Sequence, residues 1–252
     1  MDKVGFLSAN TANSAMARQE NIANNLANIN TPGFRATMVA LRSTPLVATN
    51  SRGEAVLDSR TYTAETVPGF DNRPGTMQNT NRDLDVAVKS TGWFAIQRPN
   101  GTEGYTRGGS FDVNLQGQLV NAEGFAVLGE GGPIEVPQGA KVRISELGQV
   151  SAFSDDPQNP GFQEIGQLRL VDPNPKLMVR GDDGYFQMIN GQAAEQSDTV
   201  RLSTGYLEGS NVSPAESMVE MIASQRMFDM SMKALATAKE DDQRADGILR
   251  SN

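Results

Sequence analysis

Along the first forty positions, Phe6, Ala9, Ala12, Met16, Gln19, Ile22, Leu26 and Ile29 recur at steps of three and four. Side chains at that spacing share one face of a helix, so a single stripe runs along an N-terminal helix. Pro32 and Gly33 stop it. The helix is laced with Asn at positions 10, 13, 21, 24, 25, 28 and 30. Asn is a poor interior residue because its amide competes for nearby backbone groups. A solvated face explains some of these amides. A buried Asn can instead fix register between helices at a cost in stability.

From 41 to about 80 the pattern lapses. Scattered Ser, Thr, Arg and Pro without a sustained period read as an extended connector. From Leu84 to about Leu207 the period shortens to that of strands: "LDVAV", "GWFAIQ" and "YTRGGSFDVNLQGQLVNAEGFAV" are apolar runs punctuated by Gly and Asn. Gly117, Gly148 and Gly166 each precede Gln and an apolar residue, which suggests three tight turns that use positive φ. Asp182-Asp183-Gly184 before "YFQM" is a hairpin signal.

The helical period returns after Ser213-Pro214-Ala215-Glu216, a helix start with an N-cap Ser, Pro at the first position and Glu three residues on. Met218, Met221, Gln225, Phe228, Met232 and Leu235 then alternate steps of three and four, an a/d seam. The expected fold is α+β: an all-β middle domain (81–205) between N-terminal (1–40) and C-terminal (206–252) coiled-coil helices, with a connector at 41–80. A lone amphipathic helix is marginal in water. The two stripes therefore pair with each other or wait for other subunits.

Composition narrows the function. The 252-residue chain is 38% hydrophobic and 21% charged, with 25 Gly and 12 Pro. Its net charge of −8 lacks the basic footprint of a nucleic-acid binder. No run approaches a membrane span, and the first residues lack the apolar core of a secretory signal. The absence of Cys and His removes disulfides, thiol nucleophiles, imidazole bases and nearly all zinc chemistry.

The remaining candidates for chemistry are weak. Asp83 and Asp85 flank Leu84 and would share one face of a strand, as a glycosidase pair could, although solvated Asp residues at the start of a strand are far commoner. Glu208 beside Gly209 and Ser210 is a similarly slight signal. "GEGGP" at 129–133 lacks the Lys and helix of a phosphate loop, and "DDG" alone is no calcium loop. No enzyme activity, cofactor, metal or small-molecule substrate is expected. The Met-rich C-terminal helix carries Met on more than one face, which suits contact with several neighbours.

The stretch "NNLANINTPGFR" resembles the N-terminal signature of the bacterial flagellar rod and hook family of axial proteins. "LDVAVKSTGWFAIQ", "GYTRGGSFDVNLQGQLVNAEGFAVLG" and "GYLEGSNVSPAESMVEMIASQRMFD" resemble its β domain and C-terminal signature, in family order. The length, the compact connector and "RMFDMSMK" look most like the proximal rod branch. The distal branch, the alternative, more often shows Ala-Tyr-Glu at 227–229 and a longer connector.

The resemblance implies a structural subunit of a hollow axial tube that transmits torque and conducts exported subunits. Its partners would be copies of itself, other rod proteins and the flagellar type III export gate. It would reside in the rod of the basal body, in the periplasm, exported without a cleavable signal. Subunit contacts would then involve Ile22, Leu26, Asn28, Ile29, Pro32 and Gly33 near the N-terminus. On the C-terminal side they would involve Ser210, Asn211, Met218, Met221, Ile222, Gln225, Arg226, Phe228 and Met232. Phe34 and Met38 match an export-gate motif, with Val4, Phe6 and Leu7 as a preceding apolar signal. A cell-wall hydrolase using Asp83 and Asp85 is the competing reading from another class.

Overall fold

A computed structural model describes residues 2–39, 41–49, 55–65, 69–154 and 160–250. The chain is mixed α+β and divides into two units. One comprises Met1–Ala27, Thr37–Gly69 and Ser213–Asn252; the other comprises Asn28–Ala36 and Phe70–Val212. We call them the helical unit and the β unit.

Helix α1 (Asp2–Ala27) and helix α2 (Pro214–Arg250) make up most of the helical unit. Ser213 starts α2 as expected, its Oγ accepting from the Glu216 N–H at 3.4 Å. The helices run antiparallel, since Ser224 lies against Ala15 while Leu235 lies over Gly5. The inner face of α1 buries Ser8, Ala12, Ala15 and Ile22. That of α2 buries Ser217, Ser224 and Ser231, with Met221, Phe228 and Leu235 half-buried between them. Small and large residues thus alternate, each set repeating every seven positions. The small ones let the backbones approach until the Ser224 hydroxyl donates to the Ala15 carbonyl at 2.7 Å.

This corrects the expected seam. Met221, Phe228 and Leu235 face α1, but Met218, Gln225 and Met232 sit one residue to the side and are exposed. Hydrophobicity ranks Met above Ser, whereas close helix approach selects the smaller neighbour one position earlier. On α1, Ala12 and Ile22 are buried as expected, while Phe6 and Met16 are not. The helix also ends at Ala27 rather than running to Ile29.

The expected connector contributes an antiparallel ribbon to the helical unit, Leu41–Thr49 against Ala55–Glu65, with an irregularity between Pro45 and Val47. Its residues 50–54 and 66–68 lie outside the described residues, as do 155–159 of the expected β domain.

In the β unit a five-stranded antiparallel sheet has the order Leu170–Val171, Trp93–Gln97, Glu103–Thr106, Phe186–Met188, Met178–Arg180. Trp93 to Ile96 is apolar without alternation because both faces of the strand are covered there. Phe94 points into one cluster with Val86, Phe111, Leu119 and Leu202. Trp93 and Ala95 point into another with Tyr105, Met178 and Phe186. A three-stranded sheet (Val142–Ile144, Gln149–Ser154, Gly161–Gln167) and short two-stranded ribbons complete the unit.

Gly117 and Gly148 adopt the expected positive φ, 78° and 84°. Gly166 does not. It lies within a strand opposite Val150, beside a bulge. The Asp182-Asp183-Gly184 hairpin forms as expected, with Gly184 at φ 85°.

Candidate functional site

Two constellations stand out, one in each unit. In the β unit, the segment that follows α1 is built into the domain itself. Asn28 starts the chain reversal: the Thr31 N–H donates to its carbonyl and the Thr31 hydroxyl to its Oδ1, both at 3.2 Å. Gly33 then turns with φ 73°, and its N–H donates to the Glu208 carbonyl at 2.7 Å. A Cβ here would stand 2.2 Å from both the Arg107 carbonyl carbon and the Gly108 nitrogen, so only Gly fits. Phe34 is buried, with the Arg180 guanidinium 4.2 Å from its ring centroid.

Arg35 follows and meets Glu208 at 2.7 Å, the two side chains 1% and 0% exposed. The other carboxylate oxygen of Glu208 takes the Arg107 Nε at 2.9 Å. The Gly75 N–H also donates to Glu208, at 2.9 Å. Arg107 donates further to the carbonyls of Ser90 and Gly92, and Arg35 to that of Arg73. Burial pulls both guanidinium groups below the usual arginine value, and Glu208 opposes that shift. Taking such charges out of water is repaid only when nearly all their lone pairs and N–H groups find partners. Glu208 supplies most of them for three separate stretches of chain, and among the described residues only the Arg35 Nε is a buried side-chain atom left without a hydrogen-bond partner.

Asn211 completes the clamp. Its Oδ1 accepts from the Ala36 N–H at 2.7 Å, and its Nδ2 donates to the carbonyls of Asp71 and Arg73. Asn25, in the helical unit, does the same for Thr37, accepting from its N–H at 2.8 Å and donating to its carbonyl at 2.9 Å. These amides bind backbone within the chain, which explains part of the Asn enrichment at the end of α1.

In the helical unit the notable feature is what α1 and α2 leave outside. Val4, Leu7 and Met16 on α1 are exposed, as are Met218, Val219, Ile222, Met227, Met230 and Met232 on α2. Such apolar surface marks an interaction site when it is not scattered singly.

The residues singled out in the sequence therefore separate. Ile22, Met221 and Phe228 face the partner helix; Leu26 is half-buried; Met218, Ile222, Gln225, Arg226 and Met232 are exposed on α2. Asn28, Ile29, Gly33, Phe34 and Asn211 are wholly or partly buried in the β unit, Pro32 is exposed, and the Ser210 Oγ accepts from the Val212 N–H just before α2. Phe34 is buried in the β unit, whereas Val4, Phe6, Leu7 and Met38 are exposed in the helical unit. The sequence reading missed the roles of Arg35, Arg107 and Glu208. A signal existed in "YTRGG" and "YLEG", where a charge sits among residues otherwise typical of strands.

Asp83 and Asp85 do not form a pair. Asp85 is buried and held by Arg82 and Ser110, each at 3.2 Å; Asp83 is exposed with Arg143 at 3.6 Å. Among the described residues there is no group of three or more potential metal ligands, and no helix is long and apolar enough to cross a membrane.

Three family descriptions match the sequence: "Flagella basal body rod protein" over residues 7–35, "Flagellar hook protein FlgE/F/G D1 domain" over 87–152, and "Flagellar basal body rod FlgEFG protein C-terminal" over 203–248. The chain is 40% identical to the flagellar basal-body rod protein FlgF of Escherichia coli (strain K12), with 99% of each chain covered. It is 39% identical to FlgF of Salmonella typhimurium, again over 99% of each. It is 34% identical to the rod protein FlgG of Borreliella burgdorferi, over 90% of this chain and 93% of that one.

Proposed function

The chain belongs to the flagellar basal-body rod protein family, and we propose that it is the proximal rod subunit, assembling with copies of itself and with other axial proteins. It is a structural protein of the basal body, not an enzyme. The observation that carries the proximal assignment is the 40% and 39% identity, over 99% of each chain, to the FlgF proteins of Escherichia coli and Salmonella typhimurium, against 34% to the FlgG of Borreliella burgdorferi. The apolar residues that α1 and α2 leave exposed support assembly through the helical unit. Burying them against neighbouring subunits as coiled-coil layers would give the stiffness a drive shaft needs. Heterologous contacts that do not close would extend the array along an axis.

On this reading the shaft transmits torque across the periplasm and its lumen passes later subunits. The chain is exported through the flagellar type III gate, with Phe34 and Met38 read in the unfolded chain after Val4, Phe6 and Leu7. Ile22, Leu26, Met221 and Phe228 shape the helix pair that is presented. Met218, Ile222, Gln225, Arg226 and Met232 make the contacts between subunits. Asn28, Ile29, Pro32, Gly33, Ser210 and Asn211 hold the turns that lead into and out of the helices.

The test is Ile222→Glu, at a side chain 53% exposed. Incubated with basal bodies isolated from cells that lack this chain, the variant is expected not to incorporate, while its circular dichroism matches the wild type. Incorporation at the wild-type level would overturn the assembly surface.

A further inference from the structure

The exposed apolar surface of α2 is built largely from one residue type. Met218, Met227, Met230 and Met232 are 55%, 38%, 64% and 43% exposed, joined by Val219 and Ile222 as large exposed apolar side chains on α2. None of these four side chains belongs to the face that α2 turns toward α1, which uses Ser217, Ser224, Ser231 and the larger residues between them. The chain has no Cys and a single Trp, and that Trp is buried. The side chains that two-electron oxidants attack most readily are thus absent or covered, apart from methionine.

We infer that Met218, Met227, Met230 and Met232 form an oxidation-sensitive site that a peroxide modifies in the free subunit, and whose modification blocks assembly without unfolding the chain. This inference rests on the proposed assembly role of the α2 surface. In the step itself the thioether sulfur attacks one peroxide oxygen and the O–O bond breaks. An S–O bond forms and, after proton transfer, water leaves. The sulfur is oxidised by two electrons and hydrogen peroxide is reduced. The product replaces a flexible apolar contact with a strongly polar sulfoxide. Buried against a neighbour without a donor, that oxygen opposes association. In the free subunit it stays in water, so the packing of α1 on α2 is undisturbed.

The experiment treats the full-length free protein with hydrogen peroxide and maps sulfoxides by peptide mass spectrometry. Incorporation into basal bodies from cells lacking the chain is measured in parallel. The four α2 methionines should oxidise at least ten times faster than Met178, which is 5% exposed. Circular dichroism should be unchanged, and incorporation should fall at least ten-fold. The M218L/M227L/M230L/M232L variant, or M218L/M230L should the fourfold variant fail to incorporate untreated, should keep at least half its incorporation after the same treatment.

Wild-type incorporation after full oxidation of the four residues would overturn the inference. So would equal loss in the leucine variants, or Met178 reacting as fast as the exposed set. If Ile222→Glu is excluded while oxidised wild type still incorporates, the oxidation site fails and the assembly surface stands. If Ile222→Glu incorporates normally, the surface itself fails.

Discussion

The β unit and the helical unit resolve the same problem, unsatisfied chemical groups, in opposite ways. Around Glu208 two guanidinium groups and two backbone N–H groups from distant stretches of sequence find acceptors within the unit. Along α2, Met218, Val219, Ile222 and Met230 remain more than half exposed. A clamp that closes on itself ties distant stretches of the β unit together. A helix pair that makes its closest contact through Ser and Ala residues leaves many of its larger apolar side chains for something else. The two regions should therefore respond differently to substitution: the first in stability, the second in association.

The contrast is broken most severely at Glu208. Glu208→Gln leaves Arg35 and Arg107 buried without a countercharge, and removing one partner of a buried ion pair costs about 3–5 kcal/mol. Urea unfolding followed by the fluorescence of Trp93, in the same unit, should show that loss. A change under 1 kcal/mol would mean that water reaches the clamp. Next is Gly33→Ala, where the new Cβ meets Arg107 and Gly108 backbone that cannot yield like a side-chain tip. Strain at positive φ together with overpacking makes this about 3 kcal/mol, measured by the same titration.

A smaller effect is set by pH. Burial pushes the Tyr105 hydroxyl up from 10.0 to about 12. A phenol whose folded value is raised contributes stability that is fully present below its unfolded value. That contribution is lost as pH rises from about 10 to 12, up to about 2–3 kcal/mol. Burial, with Glu123 beside it, shifts Tyr185 in the same direction. Alkaline unfolding of wild type should thus steepen above pH 10, and Tyr105→Phe should flatten that part of the curve. The smallest effect on stability sharpens the comparison from the other side. Ile222→Glu, which should abolish incorporation, should change the unfolding free energy by no more than about 0.5 kcal/mol, as exposed substitutions do.

Several elements were legible because their cause is local. The Ser213 cap, the Asp182-Asp183-Gly184 hairpin and the continuous apolar strand at Trp93–Ile96 each follow from covalent preference or short-range burial. The expected connector was harder, because a ribbon of 41–49 on 55–65 is stabilised by cross-strand partners that no local period records. Gly166 sits in a strand because its pairing with Val150 overrides what its neighbours suggest. Met218 and Met232 read as core and lie outside, since periodicity fixes a stripe only to within a residue or so.

The sequence by itself determined the α+β class, the two terminal helices with their apolar periodicity, the absence of thiol and imidazole side chains, and the family signatures. Those depend on residues close together in the chain or on composition. Only the tertiary structure decided that Arg35, Arg107 and Glu208 meet, and that Ser217 and Ser231 rather than Met218 and Met232 line the α1–α2 contact. Both are choices made by packing between segments up to about two hundred positions apart. A buried charge is tolerable only where its partners converge, and a helix face is settled by how closely its neighbour can approach.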